Sequence, residues 1–104
     1  YWQAKAPNKS NAKVFLHLYD PSGNLVAQSD GWVVHGTRPP YTWSGSEIVR
    51  ESRRLSLARD LAAGVYALEV GLYRPDGSGR LPAYREGVLQ DHGRVRLTTI
   101  EIVE

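Results

Sequence analysis

The side chains in this sequence that could do chemistry are aromatic rings and carboxylates gathered in one glycine- and proline-rich stretch. Trp32, Tyr41 and Trp43 lie between Ser29 and Ser46, with Arg38, Pro39 and Pro40 among them and Asp30 and Glu47 close by. Flat aromatic faces hold sugar rings or a proline-rich strand by apolar contact, and neighbouring carboxylates accept hydroxyl hydrogen bonds. Trp32, Tyr41, Trp43, Asp30 and Glu47 are therefore the candidate ligand-binding residues. The competing reading is packing, in which a loop tryptophan folds beneath its loop and closes one end of a core. That reading applies most to Trp43.

Other chemistries find less support. Asp30 and Glu47 could act as a hydrolytic carboxylate pair only if the stretch between them folds back across a cleft. Ser44 and Ser46 sit in a loop without a nucleophile-elbow pattern, so no catalytic residue is expected. His17, His35 and His92 lie on separate elements and lack metal-site spacing, so no metal or cofactor is expected. Asp20, Ser22 and Asn24 imitate the first half of a calcium loop, but Leu25 and Gly31 stand where its glycine and bidentate acid belong. An Asx-capped turn explains them better, and the same holds for Asp76 to Gly79.

Composition narrows the class. The chain has 104 residues, 41% of them hydrophobic and 23% charged, which suits one ordinary globular domain. Ten arginines and three lysines face eleven acids for a net charge of +2. The basic residues are scattered, and even Arg50, Arg53 and Arg54 are interrupted by Glu51, so nucleic acid is not an expected partner. Cysteine is absent, which excludes disulfides and thiolate metal sites. No apolar run approaches the ~18 residues that span a bilayer, so a soluble piece with no insertion of its own is expected. Methionine is also absent, even at position 1, and a fragment of a larger protein is the expectation.

The elements that must position these residues read as strands. Val14, Leu16 and Leu18 alternate with Phe15, His17 and Tyr19 over Lys13 to Tyr19, with His17 expected to face solvent. Asp20 to Asn24 is a tight turn, and Leu25 to Gln28 returns antiparallel. A short strand is expected near Trp32 to His35, and edge-like strands over Glu47 to Arg50 and Arg53 to Leu57. After Gly64, Tyr66, Leu68, Val70 and Leu72 alternate with Ala67, Glu69 and Gly71. Tyr66 is placed like the tyrosine corner of Greek-key sandwiches, where the phenol bonds backbone a few residues upstream. Arg74 to Gly79 is turn chemistry, and Arg80 to Arg85 is a short edge strand because of Pro82. In the last strand, Arg94 to Val103, Val95 and Leu97 share one parity while Ile100 and Ile102 share the other. That break predicts a β-bulge or bend at Thr98-Thr99. Together these give an all-β, Ig/fibronectin-like antiparallel β-sandwich over residues 1–104, with Tyr66 and Gly64 as structural positions.

Three stretches, LHLYDPSGNLVAQSDGW, TWSGSEIV and LAAGVYALEVGLYRPDGSGRLPAY, carry a resemblance across residues 13–84. They resemble the soluble C-terminal domain of some bacterial multi-pass membrane glycosyltransferases related to lipid-carrier-dependent mannosyl and arabinosyl transferases. The resemblance implies a non-catalytic accessory domain on the extracytoplasmic face of a bacterial membrane. Its partners would be the membrane-embedded remainder of the parent chain and a glycan or lipid-linked sugar. No functional position carries over. A structural spacer or protein-binding module of a surface protein is the alternative expectation.

Overall fold

The computed structural model describes residues 1–6 and 10–103. Its strands are β1 (Lys13–Tyr19), β2 (Leu25–Trp32), β3 (Gly64–Tyr73), β4 (Tyr84–Arg85), β5 (Val88–Leu89) and β6 (Val95–Ile102). Four of them form one sheet in the order β2-β1-β3-β6, and β4 and β5 form a separate two-stranded ribbon. Every pairing is antiparallel, and no α-helix occurs among the described residues. The fold is all-β.

The β1–β2 hairpin is set by Asp20. Its carboxylate accepts the backbone N–H groups of Ser22 and Asn24 at 2.9 and 2.8 Å, and Gly23 supplies the left-handed residue at φ +86, the Asx turn that its sequence calls for. β2 does not stop at Gln28. It runs to Trp32, because each residue from Gln28 onward finds a partner on β1, ending with Trp32 opposite Lys13. No separate strand spans Trp32 to His35. Val33–Gly36 instead coils tightly, with Val34 and His35 left-handed at φ 48 and 53.

The centre of the sheet is β1 against β3. Val14, Leu16 and Leu18 stand opposite Leu72, Val70 and Leu68, while Phe15 and His17 stand opposite Gly71 and Glu69. Directly paired residues share a face, so one face is aliphatic and the other carries an aromatic ring and polar groups. Both faces are covered, since Val14, Phe15 and Leu18 are all buried, together with Ala12, Val33, Val49, Tyr66 and Val95. Gly71 leaves the space in which the Phe15 ring and the Gly93 carbonyl oxygen meet the sheet. Tyr66 donates its hydroxyl to the Ala62 carbonyl at 2.7 Å, fastening the start of β3 to the segment before it.

β6 carries the expected irregularity one residue early. The ladder passes from Leu68 opposite Thr98 to Glu69 opposite Arg96 and skips Leu97. This extra residue turns Val95 to the same face as Ile100 and Ile102 and leaves Leu97 44% exposed.

Two expected strands are corrected. Glu47 to Arg50 and Arg53 to Leu57 form no ladder beyond a bridge of Val49 with Trp2. Side chains still alternate inward and outward from Glu47 to Ser56. The inward positions include Glu47, Glu51 and Arg53, and these charged groups bond to the preceding loop instead of lining a sheet. Arg80 to Arg85 likewise reduces to one bridge, Arg80 with Tyr73, before Pro82 interrupts; Tyr84 and Arg85 pair instead with Leu89 and Val88.

Gly71→Ala would drive a methyl group into the Phe15 ring and the Gly93 carbonyl, and overpacking against backbone should lower unfolding free energy by about 3 kcal/mol. Tyr66→Phe, which removes one hydrogen bond, should cost about 1 kcal/mol. Urea unfolding of the two variants checks both values and their order.

Candidate functional site

Alternation along β2 places Gln28, Asp30 and Trp32 side by side on the polar face of the sheet, and all three are exposed. The ladder sets Trp32 beside Lys13, Asp30 beside Phe15 and Gln28 beside His17. Tyr73 follows Lys13 in the next strand. The Lys13 ammonium stands 4.8 Å from the centre of the Trp32 ring, and the Trp32 side is 40% exposed. An aromatic plate, a carboxylate and an amide thus form one line along an edge strand.

Behind that line lies a polar chain. His17 Nε2 is 3.6 Å from the Asp30 carboxylate, and His17 Nδ1 shares a hydrogen bond with the Tyr19 hydroxyl at 3.1 Å. Contrary to expectation, His17 does not face solvent: its side chain is only 12% exposed. The polar face is roofed at this point, with the Arg80 guanidinium 4.2 Å from the centre of the Phe15 ring and that ring tilted 4.8 Å from His17. Burial pushes the His17 pKa below its usual value, against the opposing pull of Asp30. Burial and then the Asp30 charge raise the Tyr73 phenol.

The loop after β2 is tied down by its own polar groups. Arg38 donates to Glu47 at 2.6 Å, Glu47 also accepts the Ser44 N–H at 3.1 Å, and the Trp43 indole donates to the Arg38 carbonyl at 2.9 Å. The Arg38 hydrogen bond, followed by the Ser44 one, holds Glu47 below the usual carboxylate range. Further along, Glu51 accepts the Val34 N–H with both oxygens at 3.0 Å, His35 bonds the Ser52 carbonyl at 3.0 Å, and Arg53 donates to the Trp32 carbonyl. Trp43 is half-buried, whereas the Tyr41 ring is 55% exposed.

Of the residues singled out in the sequence, Trp32 and Asp30 share a face and an edge strand. Glu47 belongs to the loop's internal scaffold. Asp30 pairs with His17 and Glu47 with Arg38, so the two carboxylates have separate partners. Sequence reasoning missed Gln28, Lys13 and His17 at this place, although period-two alternation from Trp32 back to Gln28 was the signal for the first. It also missed Glu69, which is 2% exposed and held by Arg94 at 3.1 Å and Arg96 at 3.0 Å. Among the described residues no group of three or more histidines and acids is placed to hold a metal ion, and no helix is long and apolar enough to cross a membrane. Comparison with family models, curated proteins and solved structures finds no match for this chain.

A histidine whose pKa is lower folded than unfolded binds its proton more readily in the unfolded chain, so stability rises with pH between the two values. The His17 contribution should be complete above about pH 6.5 and be lost as pH falls through that value toward the lower folded pKa. The depressed carboxylates Asp20, Glu47 and Asp76 act only at lower pH. Urea midpoints should therefore fall between pH 7.5 and 5.5 in the natural chain, and His17→Gln should flatten that slope.

Proposed function

We propose that this chain is a non-catalytic accessory domain of Ig/fibronectin-like sandwich type, carried by a membrane-bound glycosyltransferase on its extracytoplasmic side, where it contacts glycan or lipid-linked sugar. The attachment to a transferase rests on the resemblance of the three stretches across residues 13–84. The contact with sugar rests on one observation, the exposed line of Trp32, Asp30 and Gln28 on an edge strand whose far end is locked by Arg53 at the Trp32 carbonyl and Glu51 at the Val34 N–H.

The chemistry of that line suits a saccharide. The apolar face of a pyranose packs on the indole, Asp30 accepts a hydroxyl hydrogen, and Gln28 both donates and accepts. Because the strand is already ordered, contact costs little conformational entropy. One open aromatic with two polar groups gives weak binding, with Kd on the order of 1 mM.

A second reading, a spacer or protein-binding module, is favoured by the exposed apolar ribbon of Tyr84, Val88 and Leu89, which are 43%, 62% and 59% exposed. Titration of the chain with oligosaccharides, followed by tryptophan fluorescence, separates the two. A saturable response that Trp32→Ala abolishes and Asp30→Asn weakens about tenfold supports sugar contact. Silence with every saccharide leaves the spacer reading alone.

A further inference from the structure

We propose that the groove between the β1–β2 turn and the start of β6 is a second binding site, taking a phosphate-bearing ligand on Arg94 and Arg96. The sequence dictates the pair. Arg94 has extended backbone at φ −133 and ψ 148 and directly precedes β6, so residues 94 and 96 project to the same side of the strand. That is the side of Glu69, which stands opposite Arg96 in the ladder. A carboxylate as buried as Glu69 is costly unless paired; Arg96 donates a hydrogen bond to Oε2 at 3.0 Å, while Arg94 stands 3.1 Å from Oε1 as an ion pair that leaves this oxygen without a hydrogen bond.

The arrangement holds two cations on one anion at the floor of the groove, and the charge of Asp20 on the rim balances the second cation over the groove as a whole. A guanidinium carries five N–H donors, and only one nitrogen of each is engaged with Glu69. The arginine side chains are 39% and 62% exposed, so their remaining donors open to the groove. Arg85, bonded to the Arg96 carbonyl at 2.6 Å, adds a third cation nearby. Asp20 on the opposite rim turns its carboxylate into its own turn, where Ser22 and Asn24 bond both oxygens.

Part of the remaining wall, which also includes Asp20 and Gly23, is apolar. Tyr19, Pro21, Val65 and Ala67 border a groove of about 300 Å³, the lower end of the range for small-molecule sites, and Val65 is 55% exposed. Two guanidinium forks converging from neighbouring positions match an oxyanion with several oxygens, and phosphate offers more of them than a carboxylate. The apolar wall selects a phosphate ester with a ring or chain over the bare ion.

The test is an amide-resolved NMR titration of the intact chain at low salt with inorganic phosphate, phenyl phosphate and, in a separate arm, vesicles of phosphatidylcholine with or without phosphatidic acid. Phenyl phosphate should bind more tightly than inorganic phosphate and shift the amides of Tyr19 to Gly23 and Arg94 to Leu97. Vesicle binding that requires phosphatidic acid would identify a lipid headgroup as the source; soluble binding without it would identify a free phosphoester. Arg96→Gln should weaken binding at least about tenfold at temperatures where the chain stays folded, and its unfolding midpoint should fall because Glu69 keeps only Arg94. Arg96→Lys keeps the charge, loses the fork, and should weaken binding as well. Unshifted amides in both stretches at saturating phenyl phosphate, or an Arg96→Gln chain that binds as the natural one does, would overturn the proposal. The saccharide response of Trp32 is a separate readout on the other edge of the sheet, so either reading can fail alone.

Discussion

The fit of Phe15 over Gly71 is the contact on which the rest of this structure depends. β1 is a central strand that carries buried apolar side chains on both of its faces. Its aliphatic side is supplied by Val14 and Leu18 packing with the residues that face them on β3. Its other side has one large apolar residue, Phe15, which reaches the core only because its partner on β3 has no side chain. The Arg80 guanidinium closes over the ring, and the Gly93 carbonyl reaches the same gap. A segment distant in sequence is thereby drawn onto the polar face, and that roof determines which charged groups are buried and which stay open.

The consequences differ from row to row along that face. Beneath the roof, Glu69 and His17 lose water and must find partners. Glu69 finds two arginines; His17 finds Tyr19 and Asp30. At the β2 edge the roof ends, and Gln28, Asp30 and Trp32 keep their solvent. Binding chemistry is thus confined to the margins of the sheet, while the middle of the same face is structural.

This division explains what could be read from the residues alone. The Asp20 turn and the Tyr66 hydrogen bond follow from groups a few positions apart, where local geometry leaves few options. Alternation in β1 and β3 likewise assigns faces correctly. It does not say whether a face is covered, and so His17 and Glu69 look like solvent-facing residues until residues 80–93 are in place. The stretch after Glu47 shows the converse limit. Its alternation is real, but three of its inward positions are charged, and Glu47, Glu51 and Arg53 are satisfied by loop atoms instead of a strand ladder. The bulge in β6 was visible as a parity conflict, and the ladder resolves it by skipping Leu97 and leaving it exposed.

The same loop atoms bear on the β2 edge. Val34 is β-branched and left-handed at φ 48, a conformation that costs about 1–2 kcal/mol. It persists because the Val34 N–H points straight at both oxygens of Glu51 and because Arg53, paired with Glu51, holds the carbonyl of Trp32. The strain is local, and its effect is to stop β2 at Trp32 so that the indole terminates the edge strand. Charge then selects which carboxylate on this face is free to act. Glu69 is consumed by Arg94 and Arg96, and Glu47 by Arg38. Asp30 faces His17, whose burial favours the neutral ring, and Tyr73, whose phenol is kept protonated by burial and the Asp30 charge; each offers at most one hydrogen-bond donor and no charge. Asp30 therefore keeps most of its accepting capacity beside the Trp32 ring.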